Sequence, residues 1–384
     1  MVADLRILIA IGVHRQAEAG AAGVALNHAR ELENRGHQVD CWFLEDVLPS
    51  PAKPKRLEAL IFAHRVAQRI LRSRNAYDVV NIHAPWGCVY GVWRRVLHPA
   101  GAPPYLMTMQ GSEERFSRSM MWEQRKGRAS NFGWKNRLWH RIYHQSMYDW
   151  SIRTADVGAV ANREAWAMAE LKYNREPGRI RYVPNGVGEE FFANRNYASR
   201  SPFRLLYVGT WLDRKGVFYL AASFGLLARG DSSVSLTIAG CGNSEAEVRS
   251  SFAPEIRDRV SIVPFVQRNE MPSVYASHDV FVFPSLVEGM PLTLLEAMAS
   301  GMPVVTTLSS GMQDVVENDF NGLLVPPAES AELVAAIRRL CGSTELRCRL
   351  GHEAQLTMRR YTWPRITHQL EELFTLAIKN EQQN

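Results

Sequence analysis

Hydrophobic and polar positions fall along this chain in two alternating kinds of block. Short runs rich in Val, Ile and Leu recur: RILIAIGV (Arg6–Val13), QVDCWFL (Gln38–Leu44), DVVNIHA (Asp78–Ala84), YLMTMQG (Tyr105–Gly111) and ADVGAVA (Ala155–Ala161). Between them lie stretches with helical spacing, the first over about Val24–Arg35, closed by Gly36. Near-continuous apolar runs of this length are strands buried on both faces, and their alternation with helices predicts βαβ units on a parallel sheet. The pattern breaks at NGVGEEFFANRNYASRSPF (Asn185–Phe203), which is polar, turn-rich and without period. It then restarts with RLLYVGT, VSLTIAG, VSIVPF, DVFVFPS, MPVVTT and GLLVPP.

The predicted fold is therefore α/β: two Rossmann-like, doubly wound domains facing across a cleft. The first spans about residues 1–190 and the second about 200–363. A closing amphipathic helix over about 364–384, following Pro364, packs back on the first domain. Ligands of such sheets bind outside the carboxyl ends of the strands.

Composition adds exclusions. The chain of 384 residues is 46% hydrophobic and 22% charged, a globular balance. The opening segment has about seven apolar residues after Asp4 and no small-residue cleavage site, so it reads as a first strand rather than a secretion signal. No apolar run reaches the ~20 residues that span a bilayer, and a cytoplasmic protein is expected. The 5 cysteines are scattered without a C-x-x-C pair, which argues for buried free thiols over zinc or disulfides.

Net charge is +6, but it is concentrated. The segments 53–74 and 115–148 are strongly basic, and the rest of the chain is net acidic. The second mixes its cations with Trp122, Phe132, Trp134, Trp139, Tyr143 and Tyr148. Both fit an anionic membrane surface, which would place the protein peripherally on its inner face. An ordinary solvated basic face stays open beside that reading. Nucleic acid is not expected, because nothing in the α/β pattern looks like a base-reading module.

Candidate chemistry centres on EGMPLTLLEAMASG (Glu288–Gly301). Pro291 suits the first turn of a helix, and Gly301 suits its C-terminal cap. Glu288 then lies in the loop before the helix and Glu296 one to two turns inside it. The amides of Met290 to Thr293 between them form an anion site. An anion held between two carboxylates points to a phosphorylated ligand rich in hydroxyls. The plainer reading keeps Glu288 as an electrostatic cap and Glu296 as a solvated face residue.

The surrounding sequence resembles the retaining nucleotide-sugar glycosyltransferases of family 4, which have the GT-B architecture. The resemblance rests on YASHDVFVFPSLVEGMPLTLLEAMASGMPVVTTLSSGMQDVVENDFNGLLVPP, YVGTWLDRKGV, IRYVPNGV and GAAGVALNHARELENRGHQVDCW, and covers nearly the whole chain. It implies a hexosyltransferase-type, retaining, metal-independent enzyme without a cofactor. Such an enzyme moves a sugar from a nucleotide-diphosphate donor to a carbohydrate or lipid-linked hydroxyl acceptor in cell-envelope polysaccharide or glycolipid synthesis. Residue by residue, it implies that Glu288 contacts the donor sugar and Glu296 the ribose. Lys215 balances the leaving diphosphate, with Arg214 beside it. Gly289, Met290, Pro291, Leu292 and Thr293 bind the donor, and so do Gly209 and Thr210. A flexible loop from Gly20 to Gly23 closes on the diphosphate. Asp314 matches an acidic position of open role.

Two positions depart from the family: Thr210 stands where an arginine is usual, and Gln110 where a histidine is common. Gln110 and His83 remain candidate sugar or acceptor contacts. These departures keep a rival open, a catalytically weak sugar-nucleotide-binding or scaffold protein of the same fold.

Overall fold

The structure is a computed structural model. It describes the chain apart from residues 1–3, 16–19, 49–56, 98, 128–138, 174–176, 193–194, 198–202, 232 and 384. Phe132, Trp134 and parts of both basic segments therefore lie outside the described residues. Two compact units are present. One holds Met1–Glu114, Asn131–Gly186 and Trp363–Asn384; the other holds Arg115–Ser130 and Val187–Thr362.

The first unit is built on six parallel strands in the order β2-β1-β3-β4-β5-β6. These are β1 (Arg6–Ala10), β2 (Gln38–Trp42), β3 (Val79–His83), β4 (Tyr105–Met109), β5 (Val157–Val160) and β6 (Ile180–Tyr182). Every residue of β3, β4 and β5 is buried, as central strands covered on both faces require. Two polar side chains inside this sheet satisfy each other, with Thr108 Oγ1 donating to Asn81 Oδ1 at 2.8 Å. The helix Trp363–Gln383 packs in this unit: its Thr367 Oγ1 lies 2.9 Å from His28 Nδ1, and Trp363 meets the His28 ring edge-on.

The second unit also carries six parallel strands, in the order β12-β11-β10-β7-β8-β9. They are β7 (Phe203–Val208), β8 (Val234–Ala239), β9 (Val260–Val263), β10 (Val280–Phe283), β11 (Val304–Thr307) and β12 (Leu323–Val325). The chain builds outward from β7 through β8 to β9, then returns to lay β10 against the other side of β7, pairing Val280 with Leu205. That reversal is a topological switch point, and its carboxyl ends are where ligands of such sheets bind. The segment Arg115–Ser130 belongs to this unit, in which Tyr219 donates a 2.8 Å hydrogen bond to the buried carboxylate of Glu123.

The thiols divide: Cys88 and Cys241 are buried as expected, Cys41 and Cys341 half-buried and Cys348 exposed.

Candidate functional site at the carboxyl edge of the second sheet

The loop after β10 is fixed by hydroxyls from the neighbouring strand and its exit. Thr306 Oγ1 donates to Phe283 O at 2.8 Å, Thr307 Oγ1 to Ser285 O, and Ser309 Oγ to Leu286 O at 2.8 Å. From the β7 side, Leu286 N donates to Arg214 O at 2.8 Å. Backbone that would otherwise need water at a sheet edge is thus tied down by protein on two sides. Two glycines allow the close approach. A Cβ on Gly216 would sit 1.9 Å from Pro284 O, and one on Gly311 would sit 1.6 Å from Gly289 O.

Pro291 is extended (φ −76, ψ 121) and caps the helix Leu292–Ala299 instead of standing in its first turn. Gly301, at φ 68, follows the C-cap. Among the described residues, the amides of Leu292 and Thr293 find no acceptor, whereas Leu294 N and Leu295 N both donate to Pro291 O. Unpaired amides at a helix start are donors for an anion.

Glu288 stands at this edge, its side chain 10% exposed, in contact with both cations that follow β7. Lys215 Nζ is 2.7 Å and Arg214 Nη1 2.9 Å from Glu288 Oε1, and Ser285 Oγ donates to the same oxygen at 2.8 Å. Burial would raise the Glu288 pKa, but the charges of Lys215 and Arg214 and the bonds from Lys215 and Ser285 outweigh it, and the carboxyl is held below its ordinary value. The Lys215 pKa is lowered, chiefly by burial, with the Glu288 charge opposing. Glu288 is therefore an ionised, paired carboxylate, not a solvated cap.

Glu296 is 3% exposed, which rules out the solvated-face reading. Arg268 Nη1 donates to its Oε1, and Tyr275 OH donates to Oε2 at 2.8 Å. Arg268 also lies 4.6 Å over the Phe191 ring and pairs with Glu190 at 3.4 Å. Burial opposes the Arg268 charge, and the nearby Glu296 and Glu190 more than compensate, so its pKa is raised.

The other sequence-predicted positions are placed as follows. Gly209 (φ 146) and the exposed Thr210 end β7 at the switch point. Asp314 is half-buried.

In the first unit, Asn185 Nδ2 donates to Gln110 Oε1 at 3.0 Å. His83 is 2% exposed with Nε2 lacking a partner. Burial, with His28 nearby, pushes its pKa down to about 3, so the ring is neutral.

One expectation is corrected. Gly20 and Gly23 do not form a loop: they open the helix Gly20–Asn34, and Gly23 O accepts a 2.8 Å hydrogen bond from Asn27 Nδ2. The missing Cβ groups lower helix propensity, but burial of the helix from Ala22 and Gly23 onward offsets that cost. Sequence reasoning missed Ser285, Thr306, Thr307, Ser309, Arg268 and Tyr275. The one available signal was the hydroxyl run TTLSS at the carboxyl end of β11, where strand residues no longer need to be apolar.

Two family models match the chain: "Glycosyltransferase Family 4" over residues 19–191 and "Glycosyl transferases group 1" over residues 202–343. The chain belongs to the family 4 glycosyltransferases. The amylovoran biosynthesis glycosyltransferase AmsK of Erwinia amylovora is 31% identical over 159 residues, 40% of this chain and 39% of that protein. The "UDP-Gal:alpha-D-GlcNAc-diphosphoundecaprenol alpha-1,3-galactosyltransferase" of Escherichia coli is 25% identical over 283 residues, 70% of this chain and 68% of the relative. The chain thus spans about two fifths of the first relative's length and about two thirds of the second's. The sucrose-phosphate synthase of Thermosynechococcus elongatus shares the fold, with a TM-score of 0.77 at 18% identity over 98% of this chain and 100% of that one.

Proposed function

We propose that this chain is a retaining glycosyltransferase taking its sugar from a nucleoside-diphosphate donor, and that the carboxyl edge of the second sheet holds that donor. The observation carrying this reading is the contact, at the β7/β10 switch point, of Lys215 and Arg214 with Glu288, in the loop that leads into the unpaired amides of Leu292 and Thr293. Two cations against one carboxylate, with the amides of the helix start following it in the chain, leave net positive potential for a diphosphate.

The chemistry follows from the charges. As the bond between the anomeric carbon and the phosphate oxygen breaks, negative charge gathers on the departing diphosphate. Lys215, Arg214 and the two amides stabilise it there; donors so placed are worth roughly 10²–10³ each in rate. Glu288 takes sugar hydroxyls beside the reacting carbon and stabilises its oxocarbenium character. Glu296, held by Arg268 and Tyr275, accepts the ribose hydroxyls. The acceptor hydroxyl attacks the face the diphosphate leaves, and the departing phosphate oxygen takes its proton, so no protein base is needed. Arg214 supplies the charge that Thr210 lacks. With the diphosphate charge met by side chains and amides, the reaction is proposed to run without a metal or cofactor.

The relatives named above are an amylovoran-synthesis enzyme and a galactosyltransferase acting on a lipid diphosphate sugar, which supports a polysaccharide or glycolipid acceptor here. Such an acceptor would make a membrane surface useful. Among the described residues no helix is long and apolar enough to cross a membrane. Trp122 is 43% and Ile142 63% exposed, and Lys126 Nζ lies 3.5 Å over the Trp122 ring. These suit interfacial contact by the segment 115–148; the segment 53–74 would add charge.

The test is a panel of nucleotide sugars with the purified chain. Slow nucleoside-diphosphate release from one donor, abolished in Glu288→Ala and Lys215→Ala, supports the reading. Tight nucleotide binding with no release from any donor would favour the scaffold rival.

A further inference from the structure

Glu288 has a partner set at odds with a residue kept only for sugar hydroxyls. Lys215 and Arg214 both reach it, and among the described residues its side-chain contacts fall on Oε1. The Lys215 and Glu288 side chains are only 12% and 10% exposed, and Arg214 is 30% exposed. A buried ammonium without a counter-ion sheds its proton. Glu288 therefore supports the charge on Lys215 and holds both cations in one place.

We propose that Glu288 is a stand-in for the donor's diphosphate: it neutralises Lys215 and Arg214 while the site is empty and yields them when a diphosphate enters. This rests on the donor site proposed above and adds an exchange step to it. The exchange has two consequences. Diphosphate binding is weaker than two cations and two amides alone would give, because the ligand must compete with a carboxylate already in place. The same competition turns Glu288 away from the cations only when a donor is present, so the carboxylate becomes available to sugar hydroxyls at the moment it is needed. Ser285 Oγ, 2.8 Å from Oε1, gives the released carboxylate a fixed pivot.

Inorganic pyrophosphate is the probe, since it carries the diphosphate without base or sugar. Its affinity for the full chain is measured by calorimetry at low salt, with each protein's melting temperature taken with and without it. Glu288→Gln keeps the shape and removes the competing charge. It should bind pyrophosphate at least about fivefold more tightly, the effect in water of removing one like charge some 4 Å from the ligand. Its empty form should melt lower than wild type and gain more from pyrophosphate. Glu288→Asp keeps the charge but retracts it by about one bond length, and should fall between the two. If the Gln variant does not fold, the Asp variant against wild type decides. Equal or weaker pyrophosphate binding in the variants overturns the exchange while leaving the donor site standing. Failure of wild type to bind pyrophosphate or any nucleoside diphosphate overturns both.

Discussion

Gly311→Ala should damage the nucleotide site at least as much as it damages folding. A Cβ there would lie 1.6 Å from Gly289 O, 2.6 Å from Gly289 C and 3.0 Å from Met290 Cα, where ordinary contact begins at 3.4 Å. All three atoms are backbone, so no side chain can swing aside. Gly311 is not among the positive-φ glycines, so alanine itself is not strained there. Relief requires one strand of the contact to retreat by about 1.5–2 Å, in proportion to an overpacked core.

Neither side is loose. Ser309 Oγ holds Leu286 O at 2.8 Å, and Gly311 N approaches Glu288 O at 3.4 Å. The displacement therefore passes to Gly289 and Met290, between Glu288 and the helix start. A misplacement of about 1 Å at such a site costs on the order of 100-fold in turnover. The folding cost should be about 1–3 kcal/mol, a melting shift of a few degrees at roughly 2–4 °C per kcal/mol.

Calorimetry with nucleoside diphosphates, donor turnover and thermal melting read the three effects separately. Gly342→Ala is the control, since no atom lies within 4 Å of its added Cβ; it should bind and melt as wild type or slightly better. Wild-type nucleotide affinity and turnover in a folded Gly311→Ala protein would refute the argument that this backbone contact shapes the site.

Other outcomes follow from the same structure. Arg268→Gln leaves Glu296 with Tyr275 alone; breaking a buried pair costs about 3 kcal/mol or more, so melting should fall and nucleoside-diphosphate affinity drop, with Arg268→Lys recovering part, whereas unchanged affinity would show that Glu296 does not meet the nucleotide. His28 and His83 have pKa values pushed down by burial to about 4 and about 3. Their stabilisation is full above the unfolded value of about 6.5 and is lost as pH falls toward the folded values. Melting should accordingly be flat above pH 7 and decline below about 6.5 with proton uptake on unfolding, less steeply in a His28→Gln, His83→Gln variant; a pH-independent melt between 5 and 7 would contradict this. The protein should sediment with anionic vesicles and release as salt rises; indifference to vesicle charge would remove the membrane reading.

The fold was legible because both sheets are parallel and their central strands are covered, so those strands read as short apolar runs; the three-residue edge strand β6, with Arg181 exposed, did not. The loop-and-helix position of Glu288 and Glu296 was legible from Pro291 and Gly301, which act through backbone geometry alone. What could not be read depends on distance. Arg268 precedes Glu296 by 28 positions, and nothing local marks it as that carboxylate's partner. Thr306, Thr307 and Ser309 look like ordinary strand and turn residues, because their task is to bond carbonyls of another segment. The family resemblance implied a loop from Gly20 to Gly23, where the chain instead opens a helix whose Ala22 and Gly23 are buried. Arg115–Ser130 falls with the second unit, though the chain on either side falls with the first. Tyr219, which binds Glu123 there, is 96 positions away.

The central claim is that Lys215, Arg214, Glu288 and the amides before Glu296 serve a nucleotide-sugar donor. Nucleoside-diphosphate release across a donor panel, from wild type and from Glu288→Ala and Lys215→Ala, tests it most directly. Wild type should release nucleoside diphosphate from one donor, and neither variant should release it from any. Release that survives in both folded variants would contradict it.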